Sequence, residues 1–176
     1  MENKKRELPL IYIVGMPIIL IVANTIAYLN IKTLGGSHIY ISVFLYPLTF
    51  LISGLIIKKT NYKDALRMMA VSLISASLAC VLQWSLLNSM QAWVMIYSFL
   101  SFLICQLIFI YTYDFLIKIK KDTYILVFLL IALILGIDHA FFGSIIEGQI
   151  ISLSILIRCA YAVIFPLCIA KNETRS

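Results

Sequence analysis

Six polar side chains stand inside long apolar runs of this sequence: Asn24, Gln83, Gln106, Asp138, His139 and Arg158. A charged side chain at a helix centre costs about 2.5–3.5 kcal/mol on insertion scales, so such residues are functional candidates by default. Asp138 and Arg158 carry opposite charges and invite mutual compensation. At 1.5 Å rise per residue, Asp138 lies roughly 7 Å and Arg158 roughly 13 Å below the outer ends of their runs. A flexible arginine closes a gap of about 6 Å, as long cationic side chains do when they snorkel. Two readings of the pair stay open: one that pins two helices together, and one that opens around a polar ligand. Asn24 and Gln106 offer amides with paired donors and acceptors, suited either to interhelical bonding or to the edge of a heterocycle. Gln83 and Trp84 lie at a helix end, where an interfacial tryptophan is ordinary. His139 points about 100° away from Asp138 on a helix and reads as a satisfied polar residue.

Catalytic chemistry is not legible. Ser72, Ser75, Ser77, Ser98 and Ser101 are small residues at spacings that permit close helix packing. Asp138 and His139 alone do not make a metal site. The four cysteines, Cys80, Cys105, Cys159 and Cys168, each lie in apolar sequence without a CxxC pair. They read as packing residues. The expectation is a chain that is not an enzyme and needs no cofactor and no metal.

The elements that must position these residues are apolar helices. The chain has 176 residues, 62% hydrophobic and 12% charged, whereas soluble domains average about 25% charged. Too little polar sequence remains to cover a water-facing surface. Six runs approach the 20 or so residues that cross a hydrocarbon core: about 9–29, 39–57, 65–87, 92–117, 124–142 and 149–170. The fold class expected is therefore an all-α integral membrane protein with six transmembrane helices in one domain. The first run follows Lys4, Lys5 and Arg6 but is too long for a signal peptide and lacks a small-residue cleavage site.

The net charge of +6 is distributed as a topology signal rather than as a nucleic-acid stripe. Twelve of the fourteen Lys and Arg residues fall before run one, between runs two and three or in the first turn of run three, between four and five, and after six. Lys32 alone lies on the other side, and Arg158 lies within run six. This bias puts both termini in the cytoplasm. The short outer connections then pair helices three with four and five with six. Ala23 and Ala27 form a small-xxx-small pair on helix one. The stretch 34–37, "LGGS", follows no strand and precedes no Lys-Ser/Thr, so it is a loop rather than a phosphate cradle. "YPLTFLISGLIIKK", 46–59, combines a helix breaker with two orienting lysines.

Four stretches carry a family likeness: "NTIAYLNIKTLGGSHIYISVFLYPLTFLIS" (24–53), "KKTNYKDALRM" (58–68), "CQLIFIYTYDFLIKIKKDT" (105–123) and "GIDHAFF" (136–142). Their order resembles the VUT family of vitamin uptake transporters, associated with uptake of queuosine precursors. A basic residue followed by a proline in the last helix, Arg158 and Pro166, extends the likeness. The resemblance implies a six-helix fold similar to the substrate-binding S-components of energy-coupling-factor transporters. It implies a multi-pass protein of the bacterial inner membrane that takes up a small planar heterocycle of the 7-deazaguanine type. Asn24 and Gln106 would read the ring, Asp138 would bind an amine or ring N–H, and Arg158 would set the carboxylate's charge. Tyr46 and Phe141 would stack on the ring, and Pro47 would interrupt helix two beside the site. The alternatives are an S-component-like subunit that docks on an energy-coupling module, and a degenerate membrane protein that no longer transports. Where the family carries acids, this chain has Gly54, Lys58 and Phe109, and Cys105 replaces a glycine.

Overall fold

The structure, a computed structural model, describes residues 10–25, 30–32, 38–40, 42–83, 89–121, 123–140 and 151–171. It is built of helices with one short β-hairpin. In chain order these are α1 (Leu10–Thr25), β1 (Asn30–Lys32), β2 (His38–Tyr40), α2 (Ser42–Leu45), α3 (Leu48–Lys59), α4 (Tyr62–Gln83), α5 (Ser89–Lys118), α6 (Tyr124–Asp138) and α7 (Ile151–Lys171). The strands pair antiparallel, with Ile31 opposite Ile39. The 34–37 loop joining them lies outside the described residues, as do Trp84, Phe141, Gly143 and both basic ends, residues 1–9 and 172–176.

The second expected helix, 39–57, is corrected by the structure. Its first residues form β2, and the rest divides into α2 and α3 at a turn over Tyr46 and Pro47. The reason is local. Pro47 has no N–H to give a preceding turn. Thr49 N–H donates to Tyr46 O (3.1 Å) and Phe50 N–H to Pro47 O (3.1 Å), a tighter pattern than an α-helix. Thr49 Oγ1 also donates to Tyr46 O (2.7 Å). Tyr161 of α7 donates its hydroxyl to Phe44 O (2.8 Å). Side chains thus satisfy carbonyls released at the break, which is what a break among apolar helices requires.

Other boundaries follow from caps. Helix α4 starts three residues before the expected Ala65 because Asn61 accepts from Asp64 N–H (2.9 Å) and donates to the Asp64 carboxylate (2.9 Å). The first bond is an N-cap, satisfying one of the helix's free N–H groups; the second ties the two side chains together. Helix α5 ends in a Schellman turn. Lys121 N–H donates to Leu116 O and Lys120 N–H to Ile117 O, with Lys120 at φ 53°.

Helices α4 and α5 pack together, as do α6 and α7, while α3 lies against α1, α4, α5 and α7. The core is made by Met16, Phe50, Phe102, Phe109, Tyr113, Ile131, Ile134 and Phe165, among others. Ala23 of the small-xxx-small pair is buried, and Ala27 lies outside the described residues. Segments Tyr62–Leu82 and Ile96–Lys118 are each long and apolar enough to cross a bilayer. Shorter apolar segments run over Tyr12–Asn24, Tyr124–Asp138 and Ile155–Ile169. Large apolar side chains point outward along these helices, Ile74 being 68% and Leu82 74% exposed. An outward apolar surface this extensive needs apolar surroundings, which indicates membrane association.

Candidate functional site

Six of the buried polar residues come from four elements. Thr49 and Ser53 are one turn apart on α3 and share a face. Ser101, Cys105 and Gln106 lie on α5, Asp138 at the end of α6, and Arg158 in α7. Thr49, Ser53, Ser101, Gln106, Asp138 and Arg158 are all buried. Burial of such groups without partners is costly, and each has one.

Gln106 is gripped from α3. Its Oε1 accepts from Ser53 Oγ (2.8 Å), and its Nε2 donates to Thr49 Oγ1 (2.7 Å). The Oε1 and Nε2 assignment follows from Thr49 spending its own proton on Tyr46 O, which leaves its oxygen as an acceptor. One turn outward, Ser101 Oγ donates to Asp138 Oδ1 (2.6 Å), and Arg158 Nη2 donates to Asp138 Oδ2 (3.0 Å). The side chains of Arg158 and Asp138 are 7% and 5% exposed. Arg158 Nη1 meets His139 Nδ1. Arginine has no acceptor, so the guanidinium donates in this contact. Arg158 therefore forks across two consecutive residues at the end of α6, Asp138 and the C-cap His139, although their side chains diverge around the helix.

Tyr46 forms the aromatic edge of this layer. It packs edge-on against Phe102 (5.7 Å between ring centroids) and Phe50 (6.2 Å), and its hydroxyl donates to Ser98 O (3.3 Å). A cleft of about 220 Å³ between α6 and α7, lined by Ala132, Gly136, His139, Ile155, Arg158 and Cys159 among others, reaches Arg158 and His139.

Of the residues expected to act together, Asp138 and Arg158 meet, and Gln106 and Tyr46 stand in the same interior. Asn24 does not join them. Its Nδ2 donates to Leu20 O one turn back (2.8 Å), and its buried Oδ1 has no partner among the described residues. Phe141 lies outside the described residues, and Gln83 has no described side chain. Sequence reasoning passed over Thr49 and Ser53 and treated Ser101 as a packing serine. The legible signal was their helical spacing: Thr49 to Ser53 and Ser101 to Cys105 are i, i+4 pairs beside Gln106.

The three positions where the family likeness has acids are filled by packing. A Cβ at Gly54 would stand 2.7 Å from Ile169 Cδ1 and 3.4 Å from Phe109 Cζ. The Phe109 ring stacks on Tyr113 (5.6 Å, 10°) and meets Phe50 edge-on (5.7 Å). Lys58 Nζ donates to Ile169 O (3.0 Å). Among the described residues, no three His, Cys, Asp or Glu side chains gather as a metal site. No known protein family, curated protein or solved structure matches the chain.

Proposed function

We propose that this protein is a six-span transporter of the bacterial inner membrane that takes up a small planar polar heterocycle, with a queuosine precursor of the 7-deazaguanine type as the first candidate. The observation that carries the reading is the buried ion pair Asp138–Arg158, with Ser101 bonded to its carboxylate, and a second buried bonded group, Gln106 with Thr49 and Ser53, centred five residues further along α5. A buried ion pair is weak support for stability, since apolar residues of similar volume often do as well or better. Its presence inside apolar helices therefore favours a ligand-related role.

The chemistry is an exchange of internal bonds for bonds to cargo. Gln106 presents one donor and one acceptor, now spent on Thr49 and Ser53. The edge of a heterocycle with the complementary pattern replaces both. Asp138 accepts an amine or ring N–H in place of Ser101, while Arg158 sets the carboxylate's charge. Tyr46 stacks on the ring, and Phe141 is a second candidate for that role. Asn24 supplies an acceptor through its Oδ1. The break at Pro47 gives α3 a hinge beside this layer, and helix bundles rock about it in alternating access. The resemblance of the four quoted stretches to the VUT family supports the cargo class.

The test is expression in a strain unable to make or import the precursor, with queuosine measured in tRNA at low external precursor. Modified tRNA is the expected result; unmodified tRNA despite good expression refutes the assignment. Uptake in cells lacking any energy-coupling module separates a self-sufficient transporter from an S-component-like subunit. The close packing around Gly54 and Phe109 favours one further reading, a degenerate protein that no longer transports, and the same tRNA assay decides it.

A further inference from the structure

The two lysines that end α3 do more than orient the chain. Lys58 Nζ donates to Ile169 O (3.0 Å). Ile169 lies among the last four residues of α7, whose carbonyls have no partner within the helix. A cation there also meets the negative end of the helix dipole. One turn back on α3, Gly54 faces the Ile169 side chain so closely that a Cβ would stand 2.7 Å from it. Backbone and cation of α3 thus both seize one residue of α7. On the flank toward α1, Lys59 Nζ donates to Tyr12 Oη (3.0 Å) and lies 4.8 Å from the ring centroid. Further along α5 than Gln106, Phe109 stacks on Tyr113 and meets Phe50 edge-on; these three rings, each almost wholly buried, form an aromatic floor.

We propose that this seam is the cytoplasmic gate of the transport path, with Lys58 as its latch onto the end of α7. Release of Lys58 lets α3 part from α7 at Gly54, where no side chain interlocks, and opens the floor beneath Gln106. The lysine is required in kind: a carboxylate at that position would be repelled by the Ile169 carbonyl. This inference rests on the transporter reading, but its test reads opening and needs no cargo.

The probe is Cys105, buried one turn outward of Phe109. In a variant with Cys80, Cys159 and Cys168 replaced by alanine, a membrane-impermeant thiol reagent is applied to inverted and to right-side-out vesicles. Lys58→Met is expected to speed labelling of Cys105 from the cytoplasmic side by at least about tenfold, equivalent to about 1.4 kcal/mol. Lys58→Arg, which keeps a cationic donor, and Lys63→Met, an exposed lysine in the first turn of α4, are expected to label at the parent rate. Gly54→Ala, which wedges Ile169 away, should also accelerate labelling and serves if Lys58→Met does not fold. Labelling at the parent rate in both Lys58→Met and Gly54→Ala overturns the gate. Equal acceleration from both membrane faces also overturns it, because that is general loosening. A gate that opens as described in a protein that gives no tRNA modification leaves the seam intact and removes the cargo assignment.

Discussion

Separating Asp138 from Arg158 is the sharpest test of the interior. The two side chains are 3.0 Å apart and 5–7% exposed. Removing one member of a buried pair typically costs about 3–5 kcal/mol, because the remaining charge is left uncompensated. Asp138→Asn keeps an acceptor for Ser101, and Arg158 keeps His139, so the cost belongs at the lower end, about 3 kcal/mol. Arg158→Met leaves the carboxylate with Ser101 as its partner and should cost about as much. The double variant removes both charges, so its cost should fall well below the sum. The coupling in a double-mutant cycle should reach at least about 2 kcal/mol, within the range for residues in contact. The assay is equilibrium unfolding in mixed detergent micelles, followed by circular dichroism, on all four proteins. Additivity within about 0.5 kcal/mol, as for distant sites, would refute the claim that the two charges depend on each other.

Asp138→Asn should impair uptake far more than Asp114→Asn, measured as initial uptake rate at matched expression. Asp114 pairs with Lys118 at the end of α5, where the lysine is 63% exposed, and surface pairs contribute little. Equal losses would count against the proposed site. Gly54→Asp should destabilise strongly, because it places a carboxylate against Ile169 Cδ1 and Phe109 Cζ. Adding Ile169→Ala, which removes the atom 2.7 Å from the new Cβ, should recover part of that loss in the same unfolding assay; no recovery would show that Ile169 is not what closes the space.

How the seam reads on the sequence alone shows the limit of local signals. The lysines of 46–59 were legible as an orientation signal, and Gly54 and Phe109 as places where acids are missing. That Gly54, Phe109 and Ile169 meet in one packed contact needed tertiary proximity, because Gly54 and Phe109 are 55 positions apart and Ile169 a further 60. The Asp138–Arg158 pair was legible because both charges fall in apolar runs, and their depths matched within an arginine's reach. The role of Asn24 was not legible, because an amide on an apolar face looks the same whether it faces a ligand or bonds its own helix; here its Nδ2 bonds Leu20 O one turn back. The β-hairpin was hidden by the apolar stretch 39–57, whose hydrophobicity alone does not distinguish strand from helix.

Composition by itself determined that the chain is helical and apolar outside as well as inside. Charge placement determined the orientation to expect, and the polar residues in apolar runs determined where to look. Those conclusions depend on sums over many residues, which a sequence carries in full. Only the tertiary structure decided which polar groups satisfy one another: Gln106 with Thr49 and Ser53, Ser101 with Asp138, Arg158 across Asp138 and His139, and Lys58 with the end of α7. A hydrogen bond is fixed by separations of about 3 Å, and those separations are set by how helices pack, not by the order of residues along any one of them.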